Sequence, residues 1–274
     1  SNVATSLRKN GYRAIIRCVL IVLGLVQDPS KFVELAADPL LEIFEWAFSK
    51  GLYIIFHKIL SDVSNSLNIQ KELTLLMIEE KIQDVSLLLS LFAKIKSLNP
   101  PNHFNNILAS SLYETGTIKV TLNLYSNAHL LTTDSEPLLG NIALKIISEL
   151  CTIPEVADKF VRNGLYVVLL ESPLSTIIQK GDVRPENNPR LHNIWSNGLL
   201  SIILLLLSTF GGKVLTETCV ILNYFDKQVQ YSISSWTDSK LAISTALVRE
   251  TSQLIMLQKM LESLNYRRYL NDHG

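Results

Sequence analysis

Asn163-Gly164-Leu165-Tyr166 reads as the end of one helix and the start of the next. The same phrase stands at Asn10-Gly11-Tyr12, Lys50-Gly51-Leu52-Tyr53 and Asn197-Gly198-Leu199-Leu200. Glycine reaches the left-handed conformation that closes a helix without a Cβ clash. Four and five residues past each glycine the chain is apolar again, at Ile15/Ile16, Ile55/Phe56, Val168/Leu169 and Ile202/Ile203. The glycines lie 40, 113 and 34 residues apart. The middle interval is close to three periods of about 38, within the roughly 34–47 residues of helical-pair repeats. Gly11, Gly51, Gly164 and Gly198 are therefore predicted to be turn residues of a stacked helical array.

Composition agrees with that architecture. Hydrophobic residues make up 47% of the 274 and charged residues 18%, against about 25% charged in an average soluble chain. Helices buried on two sides are expected to account for the excess, as would a piece cut from a longer protein; the initial Ser1 in place of Met favours a fragment or a processed chain. Lys plus Arg equals Asp plus Glu at 25 each. A nucleic-acid binder carries a basic excess or stripe, and Arg267-Arg268 is too short to make one. Cys18, Cys151 and Cys219 are isolated in apolar patterns, so they are expected to be buried free thiols in a reducing compartment rather than a zinc or redox site.

Along the chain, helices are predicted over residues 7–26, from Asp28-Pro29-Ser30 to about Ser49, and from Gly51 to Asp62. Ser64–Asn68 is a polar turn. Ile69, Leu73, Leu76, Ile78, Ile82, Val85, Leu89, Phe92 and Ile95 hold a long spine helix, which Asn99-Pro100-Pro101 stops. Helices follow at 102–114 and 117–130, the second despite strand-like alternation over Thr117–Leu122, because no partner strand exists. Thr132–Glu136 is a turn. Leu138–Cys151 and Pro154–Val161 are helical, Gln179–Asn193 is a long loop, and Ile194–Phe210, Val214–Trp236 and Ser239–Leu264 close the series. The greasy run Leu199–Phe210 is 12 residues, about 18 Å of helix against roughly 30 Å of hydrocarbon, so it reads as a buried core helix rather than a membrane insertion. No composition shift marks a linker. The expectation is all-α: one domain over 1–274, a superhelical α-solenoid of stacked HEAT/armadillo-like pairs.

No pattern names a reaction. His57, His103, His129, His192 and His273 show no metal-ligating spacing. Gly211-Gly212-Lys213 lacks the upstream glycine of a phosphate loop, that position being Leu207. Glu42 and Glu45 share a helix face, where solvated carboxylates are the commoner explanation. The chain is expected to be no enzyme and to need no cofactor or metal. Two features bear on binding. Helix 214–236 carries a main stripe, Leu215, Leu222, Phe225, Val229, Ile233 and Trp236, and a second line, Val220, Tyr224 and Tyr231. A helix apolar on two sides is sandwiched between repeats or offers a face to a partner helix, and Val220, Tyr224 and Tyr231 are the candidate partner face. Glu250 falls in register with Ile243, Leu247, Leu254, Leu257 and Leu261. It is expected to pair with a basic group inside the fold in preference to anchoring a partner. Trp195 is expected in the core.

The stretch Arg190-Leu191-His192-Asn193-Ile194-Trp195-Ser196-Asn197-Gly198-Leu199-Leu200, with Gly181-Asp182-Val183-Arg184-Pro185 before it and two helices after it, resembles the C-terminal tail of large inner-ring scaffold nucleoporins. The resemblance is to the one-eighty-eight class, with the one-ninety-two and two-oh-five class as near alternative, and covers about Pro137–Leu264. It implies an α-solenoid at the nuclear pore complex, a soluble peripheral scaffold of the nuclear envelope. It also implies docking of a helical linear motif of a linker nucleoporin, weak contact with phenylalanine-glycine repeats, and a part in nucleocytoplasmic transport. The alternative is a soluble karyopherin-like receptor or general HEAT-repeat adaptor. A receptor for basic cargo and a small GTPase usually needs an acidic inner surface, and the neutral overall charge leans against it.

Overall fold

The computed structural model describes the backbone of residues 2–65, 71–130 and 137–273, with side chains described over 11–64, 78–130 and 137–265. Among the described residues every regular element is helical. The expected turns at Thr132–Glu136 and over most of Ser64–Asn68 lie outside the described residues, as do the side chains of Ile69, Leu73 and Leu76. The chain divides into two compact units, 1–120 and 121–274.

The first unit holds α1 (Asn2–Gly24), α2 (Pro29–Phe44), α3 (Tyr53–Asn65), α4 (Lys71–Ser97) and α5 (Asn102–Glu114). The Asp28 carboxylate accepts from the Lys31 amide and Pro29 occupies the first turn of α2, an N-terminal signal legible in the sequence. Asn99, at φ +54°, ends the chain reversal ahead of Pro100-Pro101. The core centres on Phe44, whose ring lies 4.9 Å from Phe48, 4.9 Å from Phe104 and 6.1 Å from Phe92. Arg13 of α1 reaches Asp84 at 2.5 Å and Glu80 at 3.2 Å on α4. That contact joins the two helices through groups that are partly shielded from water.

The second unit runs through α6 (Thr117–Ser126, on which the boundary falls), α7 (Leu138–Leu150), α8 (Pro154–Arg162), α9 (Leu165–Glu171), α10 (Pro173–Ile178), α11 (Pro189–Asn193), α12 (Ser201–Phe210), α13 (Leu215–Tyr224), α14 (Asp226–Ser234) and α15 (Thr245–His273). α7 is buried almost all round, at Leu139, Ile142, Ala143, Leu144, Ile146, Ile147 and Leu150, which identifies it as a central helix covered by neighbours. One stretch, Pro189–Tyr224, is long and apolar enough by composition to cross a membrane, and half of its most apolar window is buried inside the protein. Ile202, Ile203, Leu206 and Leu207 supply that buried side, and α12 packs against α7 and α15. At Gly211, φ +56°, α12 ends, and a 3-10 turn over Gly211–Val214 leads into α13.

The glycine phrase marks a turn once. Gly164 is left-handed, φ +89°, between α8 and α9. Gly11, Gly51 and Gly198 are corrections: all three sit inside continuous helix, Gly11 in α1 and the other two in π-helical stretches, Glu45–Leu52 and Ile194–Leu200. Two of them serve close approach instead of reversal. A Cβ on Gly51 would stand 2.8 Å from the Tyr12 hydroxyl, and one on Gly198 would stand 2.5 Å from Leu144 Cδ1. Gly11 has open space around it, and nothing in the structure explains it. The π stretch at Glu45–Leu52 shifts the hydrogen-bond register, and the Thr117 hydroxyl donates to the Ser49 carbonyl there, satisfying a backbone group that a wider turn would otherwise leave short of a partner.

Gly164→Val separates backbone from packing. A Cβ at this position meets nothing within 4 Å, so the cost is conformational alone, about 1–2 kcal/mol for a β-branched residue held left-handed. A chemical-denaturation midpoint that does not move would show that the α8–α9 turn relaxes freely to another geometry.

Candidate partner-binding surface

α15 is fastened to the second unit by a carboxylate. Glu250 is 1% exposed in the middle of the face formed by Leu247, Leu254 and Leu257. Its Oε1 accepts from the Trp195 indole N–H at 2.8 Å and from the Ser232 hydroxyl, and its Oε2 lies 2.6 Å from His192 Nε2. Three elements of the unit thereby converge on one side chain: α11, the π stretch after it, and α14. The Trp195 ring, fully buried, stacks on Phe225 at 5.1 Å. Beside it, Gln228 accepts from the Val183 amide and donates to the Val183 carbonyl. That pair pins the 179–188 loop to α14 much as a strand partner would. Gln253 extends the polar seam to Ser196 and Ser201. A buried carboxylate persists only where donors replace its lost hydration, and here the donors come from distant parts of the sequence. Glu250 therefore pairs inside the fold, as its register suggested.

The face of helix 214–236 is corrected. The helix breaks at Phe225 into α13 and α14, and the buried positions are Val214, Leu215, Thr218, Ile221, Phe225, Gln228, Ser232 and Ser235. Of the expected main stripe, Ile233 and Trp236 are exposed, Leu222 and Val229 half-buried, and Leu215 and Phe225 buried. The polar members win the inner face because Glu250 and Val183 offer hydrogen bonds there. Val220 and Tyr224, one turn apart on α13, are 48% and 56% exposed. Tyr231 lies on the following helix, half-buried, with the Arg184 guanidinium 4.1 Å above its ring, so it forms no common stripe with the other two. Cys151 is buried, and burial pushes its thiol pKa up. Cys18 and Cys219 are exposed, against the expectation of three buried thiols, because each falls on the outer side of its helix.

Sequence reasoning missed a groove between α12 and α15. It has a volume of about 550 Å³ and is lined on one side by Leu207 and Gly211, on the other by Ile255, Met256, Met260 and Leu264. Ile255 and Met256 are 50% and 55% exposed. The signal was present: both are apolar and out of register with the Leu247–Leu257 stripe. Methionine side chains are unbranched and repack easily, and they recur where a surface must accept another helix. Among the described residues no three His, Cys, Asp or Glu side chains converge in a metal-ligating group.

The comparisons with known proteins agree with this architecture. Residues 55–266 match the family model described as the nuclear pore protein NUP188 C-terminal domain. The chain is 54% identical over 270 residues to nucleoporin NUP188 of Saccharomyces cerevisiae, covering 97% of the chain and 16% of that protein. It is 24% identical over 218 residues to nucleoporin nup184 of Schizosaccharomyces pombe, covering 80% of the chain and 14% of that protein. Thus it spans only a small part of the length of the relatives it matches. In structure it is similar to Nup188(aa1445-1827) from Myceliophthora thermophila, with a TM-score of 0.59 at 16% identity, covering 93% of this chain and 84% of that one. The helical solenoid fold is shared across that low identity, and with the family match and the yeast relative it establishes that this chain belongs to the C-terminal domain family of the nuclear pore protein NUP188.

Proposed function

We propose that the chain is a non-catalytic adaptor within the scaffold of the pore's inner ring, which receives a helical linear motif of a linker nucleoporin and in that way supports nucleocytoplasmic transport. The observation that carries this reading is the α12–α15 groove, an apolar trough between two packed helices that leaves Ile255 and Met256 half in solvent. An amphipathic helix buries its apolar ridge in such a trough, with anchors recurring every three or four residues. The network around Glu250 holds α15 in place, so the groove is preorganised and binding pays little ordering entropy. Val220 and Tyr224 offer a second, flatter apolar face on α13.

The test is titration calorimetry of the chain with a linker-nucleoporin helical peptide. The pair Ile255→Asp with Met256→Asp is expected to weaken binding by about tenfold or more, that is about 1.4 kcal/mol or more. The pair Val220→Asp with Tyr224→Asp is expected to leave it unchanged. The reverse pattern would move the docking face to α13. A peptide that binds both paired variants like the parent chain, or does not bind the parent at all, would remove the adaptor reading.

A further inference from the structure

We infer that the groove between α2 and α5 is a docking site for a basic amphipathic helix of a partner protein. It belongs to the first unit and stands on a different observation from the α12–α15 groove. α2 and α5 pack side by side, and the trough between them has a volume of about 430 Å³. Leu41 and Phe44 from α2 and Ile107 and Leu108 from α5 make an apolar floor, beside Asn106, Ser110 and Ser111 of α5. Ile107 is 49% exposed there, an aliphatic side chain left half in water. The rim is acidic, with Glu42 and Glu45 on one side and Glu114 on the other.

The charge extends beyond the rim. Glu34, Asp38, Glu42 and Glu45 follow one another at helical spacing on the exposed side of α2 and into the π stretch, and all four are exposed. From residue 32 to residue 49, and throughout α5, there is no lysine or arginine. Lys50 reaches Glu45 at 3.5 Å with both side chains more than half exposed, which offsets Glu45 locally and leaves the negative charge of the rim to Glu42 and Glu114. Glu42 and Glu114 therefore flank the apolar floor, with Glu34 and Asp38 further along α2, in a chain whose overall charge is zero.

That combination selects its occupant. A trough between two packed helices takes the side-chain ridge of a third helix. The half-exposed floor calls for apolar residues at the centre of that ridge. The acidic rim calls for lysine or arginine on both flanks, and charge of this sign speeds encounter with a basic segment while repelling acidic ones. It also repels phosphate backbones, which puts nucleic acid out of consideration.

The probe is a fluorescein-labelled synthetic peptide of about four helical turns, with leucines at helical spacing and lysines on both flanks, added to the whole 274-residue chain. Fluorescence anisotropy should show saturable binding that weakens as salt is raised, since exposed charges are screened. A peptide of the same pattern with glutamate in place of lysine should not bind. The double variant Glu42→Lys/Glu114→Lys should bind the basic peptide severalfold more weakly. Ile107→Asp tests the floor separately and should weaken binding as well. Helical circular dichroism and the thermal midpoint confirm that each variant is folded.

Equal affinity of the parent and the folded double variant would overturn the inference, as would equal binding of the acidic peptide or no saturable binding by the parent chain. Sedimentation of the chain alone checks the competing occupant. A dimer abolished by Ile107→Asp would assign the groove to a second copy and overturn the proposal, whereas a monomer supports it. The α12–α15 proposal is unaffected by any of these outcomes, because its variants and its peptide are different.

Discussion

Glu250→Ala is expected to lower the stability of the chain by about 3–5 kcal/mol, because it removes the shared acceptor of a buried hydrogen-bond network, and each buried donor left unsatisfied costs about 1–3 kcal/mol. Three donors lose their acceptor at once: the indole N–H of Trp195, the hydroxyl of Ser232 and the ring of His192. Each is buried, with His192 and Ser232 at 4% and 3% exposure, so water cannot replace the carboxylate without opening the seam under α15. Against a typical total of about 5–15 kcal/mol this is a large loss. Glu250→Gln keeps the volume and one carbonyl acceptor, so it should cost distinctly less. The measurement is a urea or guanidinium titration followed by circular dichroism. Trp195→Phe adds a second reading, since it removes the N–H donor while leaving a ring against Phe225. In a double-mutant cycle with Glu250→Ala the two losses should be less than additive, because both remove the same hydrogen bond. Full additivity, or a Glu250→Ala loss within about 0.5 kcal/mol, the size of an ordinary surface change, would mean that the carboxylate does not hold α15.

The asymmetry between what could and could not be read in advance has a physical basis. Helix existence was legible because apolar period, proline stops and Asp28-Pro29 are local signals, and the structure places helices at almost every predicted position. The resemblance at Arg190–Leu200 pointed to the family that the comparisons establish. Turn assignment failed at Gly11, which no contact explains, and at Gly51 and Gly198, because a glycine is used both where the backbone must go left-handed and where another helix must come close. Only the three-dimensional neighbour distinguishes the two uses, and Leu144 is 54 residues away from Gly198 in sequence. The face of α13 and α14 was misread for a related reason. A hydrophobicity pattern ranks Val229 and Ile233 above Gln228 and Ser232. Burial follows partners as well as transfer free energy, and the partners, Val183 and Glu250, belong to other segments. The position of Ile255 and Met256 off the main stripe was legible, but the groove was not, since such a residue marks a groove only if a neighbouring helix supplies the opposite wall.

Gly198 carries the other large effect, and its sign follows from the distance together with how little its neighbour can yield. A Cβ there would approach Leu144 Cδ1 to 2.5 Å, Leu144 Cβ to 3.3 Å and Leu144 Cγ to 3.5 Å. Leu144 is 1% exposed on α7, which is surrounded by packed side chains, so it has little room to yield. Gly198→Ala normally gains on helix propensity by about 1 kcal/mol. At this contact it should instead lose stability, as overpacking typically costs about 1–3 kcal/mol. Gly198→Val adds two more methyl groups at the same point and should exceed that range or prevent folding. A compensating truncation keeps the argument testable even then. Leu144→Ala alone opens a cavity and should cost about 2–5 kcal/mol, yet combined with Gly198→Ala it removes Cδ1, the atom that clashes, and leaves only the Cβ approach at 3.3 Å. The double variant should therefore be more stable than the sum of the two single losses predicts, by more than the roughly 0.3–0.5 kcal/mol within which independent sites add. Strict additivity would show that the helix carrying Gly198 moves away from α7 without strain, and the glycine would then owe its place to something other than this contact.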